Sequence, residues 1–249
     1  MTTSVPRSNT SEWSTEIETV QTLARHDGPR GEVVLRRRIA NGRRVEELII
    51  NGAFAMDSSE TSTECLLAEL ALPTGRAQRV LIGGLGLGYT VDAVAAKEVD
   101  AIDVVEIEEC LIEWANQGVT ATLAAVASNP RVHLHATDIK PVLEGAVDEP
   151  IGPWDAIVLD VDNGPDFLIH GENRTLYTRT WLSPAYSQLT AGGTLAVWCQ
   201  HPAPQLLAIL EGIASSAQEH VVDTSRGRRS FPYTIYTISR LKHSPVGAR

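Results

Sequence analysis

Short apolar runs recur along the last two thirds of the chain, each bounded by turn residues and followed by an amphipathic stretch. Arg79 to Ile82, Ala101 to Glu106, Trp154 to Asp160 and Thr194 to Cys199 are short and mostly apolar, and Arg131 to His135 alternates apolar and polar residues. Such runs are predicted as strands buried on both faces of a sheet. The segments between them carry helical spacing: Tyr89 to Lys97, Glu109 to Asn116 around Trp114, Leu176 to Leu189 with Pro184 as an interruption, and Pro204 to Ala217. Repeated strand–helix units predict a doubly wound α/β domain whose mostly parallel sheet has helices on both sides. Two final runs, His220 to Thr224 and Thr234 to Arg240, leave no room for a helix between them. They complete a seven-stranded sheet and predict that its last strand runs antiparallel.

The first third follows a different pattern. Residues 1–15 are rich in Thr and Ser and are expected to be disordered. Residues 16–75 form a small appendage, starting with a helix over Glu16 to His26 and a break at Asp27-Gly28-Pro29. The β-prone runs Glu32 to Ile39 and Arg43 to Ile50 flank Asn41-Gly42, a strong hairpin signal. Asn51-Gly52 turns the chain toward Phe54-Ala55-Met56, and a helix follows from Ser62 to Leu72. Pro73-Thr74-Gly75 marks the boundary with the main domain, 76–241, and 242–249 form a C-terminal tail. Arg36, Arg37, Arg38, Arg43 and Arg44 crowd the hairpin, which reads as a solvated face guarding strand edges rather than an anion site.

Charge narrows the partners. The chain of 249 residues has a formal net charge of -10, which disfavours the phosphate backbone of nucleic acid and suits a small, cationic acceptor. Cys65, Cys110 and Cys199 are widely separated and read as buried thiols in a reducing compartment. There is neither a signal-peptide pattern nor an apolar run long enough to cross a membrane, so a cytoplasmic protein without a membrane partner is expected. His133 and His135 alternate on one predicted strand without an evident third ligand, so no metal is expected.

The chemistry centres on Val80-Leu81-Ile82-Gly83-Gly84-Leu85-Gly86-Leu87-Gly88, where an apolar strand breaks into glycines ahead of a helix. Neither Gly83 nor Gly84 starts the G-x-G-x-x-G spacing of a nicotinamide dinucleotide site. Gly84, Gly86 and Gly88 give G-x-G-x-G instead, the spacing of S-adenosylmethionine-binding folds, where no pyrophosphate needs cradling. Glu106 ends the next apolar run, and its acceptor-only carboxylate suits a pair of ribose hydroxyls.

Together these segments resemble the spermidine synthase-like branch of the S-adenosylmethionine-dependent methyltransferase fold, over roughly residues 31–240. Val80 to Gly84 resembles its glycine motif, and Val105-Glu106-Ile107-Glu108 its ribose-binding segment. Arg131 to Asp138 resembles the stretch whose aspartate meets the adenine amino group, and Trp154 to Asp160 the strand ending in the catalytic aspartate. Leu176-Tyr177 and Phe231-Pro232-Tyr233 echo two further segments. The resemblance implies a Rossmann-like fold with an N-terminal β-rich appendage and a homodimer. It also implies an adenosyl site of Gly83, Gly84, Gly86, Gly88, Glu106, Ile107, Asp138, Ile139 and Asp160. Asp160 is expected to hold and deprotonate the acceptor, with Asp162 in support; Tyr177, Gln200 and His201 are candidate acceptor contacts.

Gly86 stands where aminopropyl transferases of this family carry an aspartate for the amine of decarboxylated S-adenosylmethionine. The family's Leu-Asp-Gly-x-x-Gln element appears as Ile50-Asn51-Gly52-Ala53-Phe54-Ala55, and of its Tyr-His/Gln-Glu element only Glu64 is recognisable. The expectation is therefore methyl transfer from S-adenosylmethionine to a small amine. The alternatives are aminopropyl transfer from the decarboxylated ligand to a diamine, and a non-catalytic adenosyl-binding protein.

Overall fold

A computed structural model describes residues 19–40, 42–165, 168, 171–226 and 229–241. Two sheets organise them. The first is antiparallel, with its strands in chain order: β1 (Thr19–Gly28), β2 (Gly31–Ala40), β3 (Arg43–Ile50) and β4 (Ala53–Asp57). Helix α1 (Ser62–Ala71) follows, and the main domain then alternates. It comprises β5 (Arg76–Gly83), α2 (Tyr89–Ala95), β6 (Glu98–Glu106), α3 (Glu109–Gln117), α4 (Ala121–Ser128), β7 (Val132–Ala136) and α5 (Ile139–Glu144). After these come β8 (Trp154–Leu159), a 3-10 turn (Gly171–Tyr177), α6 (Arg179–Ser187), β9 (Leu189–Cys199), α7 (Pro204–Ile213), β10 (Gln218–Arg226) and β11 (Arg229–Ser239).

The second sheet has the order β10-β11-β9-β8-β5-β6-β7. Strands β9, β8, β5, β6 and β7 are parallel, and β11 lies antiparallel between β9 and β10, as the closing pair predicted. Side chains alternate across this sheet. Val80, Ile82, Val104, Ala156 and Val158 face one core with α1 to α4. Leu81, Val105, Ile157, Leu159 and Val197 face another with α5, α6 and α7. From β5 the chain winds outward through β6 and β7, then returns to place β8 on the other side of β5. Strands β5 and β8 thus flank a topological switch point, where the loops leaving their carboxyl ends part and open a crevice.

The small sheet belongs to the same core. Its inward residues Val33, Leu35, Leu48 and Ile50 pack in one cluster with Leu67 and Ala71 of α1 and with Ile82 and Val104 of the main sheet. The opening segment departs from expectation, since it is strand β1 and not a helix. Thr19, Val20 and Thr22 favour extended backbone, and the ladder to β2 runs from Thr19 opposite Ile39 to Gly28 opposite Gly31. Neither α4 nor α5 was expected; α4 is Ala-rich with little periodicity, and α5 is short. Cys65 is exposed, whereas Cys110 and Cys199 are buried, which corrects the expectation of three buried thiols. The tails at 1–15 and 242–249 and the hairpin residue Asn41 lie outside the described residues.

The hairpin arginines are largely paired across the ladder. Arg36 and Arg38 hold the two oxygens of Glu47 at 2.7 and 2.8 Å, and Arg37 meets Glu46 at 2.8 Å. Burial alone favours a neutral Glu47, but hydrogen bonds and charge from Arg38 and Arg36 outweigh it and hold the carboxyl below its ordinary value. A carboxyl depressed in this way stabilises the fold above its unfolded pKa, and that contribution is lost as pH falls through the lower folded value.

Two outcomes are expected in chemical denaturation. Leu67→Ala, at the junction of α1 with both sheets, lowers stability by about 2–5 kcal/mol. Glu47→Gln is less stable than the wild type at neutral pH, and the gap narrows as pH drops below about 4.

Candidate active site

The strand ends at the switch point are pinned by backbone. Gly84 N–H donates to the Val105 carbonyl at 2.8 Å, and Asp160 N–H donates to the Gly83 carbonyl at 2.9 Å. Gly84 has φ +95, and a Cβ there would lie 2.1 Å from the Asp160 carbonyl oxygen. Only glycine lets these loops pass so closely. Gly84 and Gly86 line the resulting cavity; Gly83 packs beneath it against Val161, Ile139 and Leu159, and Gly88 caps α2 beside Val126.

Glu106 sits at the end of β6 on the cavity wall. Its Oε2 accepts the Leu85 N–H and its Oε1 the Glu108 N–H, each at 2.8 Å. Burial pushes its carboxyl pKa up, and these backbone donors pull against that. Locked to the glycine loop, this carboxyl has its orientation fixed on the cavity wall, where its oxygens can accept hydroxyl groups. Ile107, Asp138 and Ile139 line the same end, with Asp138 capping α5 through the Lys140 N–H at 2.9 Å.

The small sheet closes the cavity from above. Leu48, Ile50, Phe54, Ala55 and Met56 form part of the wall. Arg30, in the turn between β1 and β2, latches this sheet to the rim: it bonds Glu108 at 3.0 Å and donates to the Ile107 carbonyl. Met56 Sδ accepts the Leu87 N–H at 3.3 Å and lies 2.7 Å from where a Cβ of Gly86 would be.

The other end is acidic. Asp160 accepts the Thr90 hydroxyl at 2.6 Å; burial raises its pKa, and this bond partly offsets the rise. Glu64, from the first turn of α1, also lines the cavity and is 7% exposed. Burial first, and then the charge of Asp160, push its carboxyl up to about 7. Asp162 is buried, taking the Asn163 N–H at 2.8 Å and the Asn173 amide at 3.1 Å.

Among the candidate acceptor contacts, Gln200 lines the cavity and its N–H meets the Asn163 carbonyl at 3.1 Å. Tyr177 and His201 do not form its wall. Tyr177 is buried beside Cys199, Asp162 and Asp160, its hydroxyl meeting the Gly164 backbone, and burial raises its pKa strongly. His135, weighed as a metal ligand, instead meets Asp103 at 2.9 Å. Thr90, Met56, Trp198 and Tyr233 line the cavity without having been singled out for it. The aromatic pair Trp198–Tyr233, with ring centroids 5.3 Å apart, joins β9 to β11. Such positions follow from pairing between distant strands, and only Thr90, in the first turn after the glycines, had a local signal.

No protein-family profile and no curated protein matches the chain. Solved structures do. A spermidine synthase in complex with the transition-state analogue AdoDATO superposes with a TM-score of 0.71 at 15% identity, covering 88% of this chain and 73% of that one. The spermidine synthase from Thermotoga maritima gives 0.68 at 14% identity, covering 88% and 72%. Both are of the class named by the aminopropyl alternative. They overturn the methyl-transfer expectation, which rested on Gly86 and on the altered elements at Ile50–Ala55 and around Glu64. This chain has the spermidine synthase-like fold.

Proposed function

We propose that the protein is an aminopropyl transferase, joining decarboxylated S-adenosylmethionine to a small amine acceptor. The carrying observation is the charge of the cavity wall. Glu60, Glu64, Glu106, Glu108, Asp138, Asp160 and Asp162 line it, and among the described residues it includes no Lys, Arg or His. The carboxylate of intact S-adenosylmethionine would find no cation among these lining residues, Arg30 at the rim being engaged by Glu108 and the Ile107 carbonyl, whereas the decarboxylated ligand presents only positive groups at its sulfonium end. The likeness to spermidine synthases, one of them holding AdoDATO, supports the same choice.

In the reaction, the acceptor nitrogen bonds to the propyl carbon next to sulfur. The carbon–sulfur bond breaks with its electron pair going to sulfur, which leaves as methylthioadenosine. The chain's task is alignment and proton removal. Glu106 and the Gly84–Gly86 backbone hold the adenosyl end, Asp138 and Ile139 flank the base, and Asp160 takes the proton shed by the nitrogen. Asp162, fixed by Asn163 and Asn173, holds the acceptor ammonium before deprotonation.

Gly86 is compatible with this chemistry because Met56 fills the space an acidic side chain would need. Gly86→Asp is expected to cost about 1–3 kcal/mol of stability, from its positive φ and from crowding Met56, and less in a Met56→Ala background, read as non-additivity in a double-mutant cycle.

Incubation with decarboxylated S-adenosylmethionine and a panel of diamines, followed by mass analysis, is expected to give aminopropyl adducts and methylthioadenosine. Absence of any adduct would overturn the proposal. Asp160→Asn is expected to lower turnover by about 10²–10⁴-fold while keeping methylthioadenosine affinity. Retained turnover in that variant would move proton removal to another group.

A further inference from the structure

Glu64 has no counterpart in the scheme above, yet its setting is unusual for a structural carboxyl. It is nearly sealed, and among the described residues its side chain has one hydrogen bond to another residue, from the Thr63 hydroxyl at 2.8 Å. Buried carboxylates are normally paired or held by several donors. Around it are Asp160 at the end of β8, Glu60 ahead of α1, Tyr89 at the start of α2 and the neighbouring Cys65. None of these is a cation, and the shared cavity contains none among the described residues.

We propose that Glu64 is the specificity-determining residue that anchors the primary ammonium of the aminopropyl group, taking over the task that Gly86 cannot perform. The inference rests on the adenosyl reading of the cavity. Glu64 comes from α1, so the anchor is delivered by the same segment that carries the closing sheet onto the main domain. An acid at position 86 would have to share its space with Met56, whereas Glu64 faces the cavity without such a clash. Placed between Glu64 and Asp160, an ammonium relieves the repulsion between them and replaces the solvent that burial has removed from both. Neutral ligands such as methylthioadenosine gain nothing from it.

This makes binding a proton-coupled event. Burial and the charge of Asp160 push the Glu64 carboxyl up to about 7, so in mildly acid solution a cation bound there displaces a proton. Calorimetry at pH 6.5 in two buffers of different ionisation heat reads the release directly. For wild type binding decarboxylated S-adenosylmethionine, net proton release is expected. Methylthioadenosine should release none. Glu64→Gln should abolish the release and weaken the decarboxylated ligand at least about tenfold, with methylthioadenosine affinity unchanged and so reporting an intact fold. Glu64→Asp, retaining charge on a shorter arm, should restore part of the loss.

Release that persists in Glu64→Gln would assign the proton to Asp160 and overturn the anchor. Equal weakening of both ligands would reduce Glu64 to a structural role. If wild type fails to bind methylthioadenosine, the adenosyl reading falls, and the anchor with it. A wild type that binds methylthioadenosine, but binds the decarboxylated ligand no better, overturns the anchor alone.

Discussion

The close passage of Gly84 beneath the Asp160 carbonyl is the constraint on which the site depends. It brings the loop after β5 against the end of β8, where a Cβ would stand 2.1 Å from the Asp160 carbonyl oxygen. Backbone hydrogen bonds from Gly84 to Val105 and from Asp160 to Gly83 then fix three strand ends relative to one another. Glu106, tied to Leu85, completes the frame. The positions of Glu106 and Asp160 on the cavity wall are therefore set by main-chain geometry, before any side chain chooses a rotamer.

The second determinant is a roof that shares a core with the floor. Because Val33, Leu35, Leu48 and Ile50 pack with Leu67 and Ile82, the small sheet is held down by hydrophobic burial as well as by Arg30 on the rim. Burial under this roof strengthens every charge interaction inside. Two unit charges about 4 Å apart interact by about 4 kcal/mol at an effective dielectric near 20, against about 1 in water. An acidic wall in such a setting discriminates sharply between ligands that differ by one carboxylate.

The main domain was legible because most of its strands are largely apolar runs with glycine or proline at an end, and the wide reach of the hydrophobic pattern set the sheet type. Strand β1 was not legible as a strand. Its side chains are mostly exposed, and pairing with β2, a long-range event, decides its conformation. At the site, the glycines and Glu106 announce themselves by local spacing. Met56 does not, since its meaning lies in a contact with Gly86, from a different sheet. Gly86 was accordingly read as a lost acid and hence as a sign of methyl transfer. Both neighbouring spermidine synthases count against that inference, and the cavity places a carboxylate nearby on α1 instead.

The central claim is that this cavity selects a sulfonium ligand without a carboxylate. It is tested most directly by the ratio of dissociation constants for intact and decarboxylated S-adenosylmethionine, measured on wild-type protein at neutral pH and low ionic strength. An acidic wall with no cation among the described residues that line it predicts that the decarboxylated ligand binds at least about 100-fold tighter, equivalent to about 2.7 kcal/mol. Equal affinity, or tighter binding of the intact ligand, would contradict it.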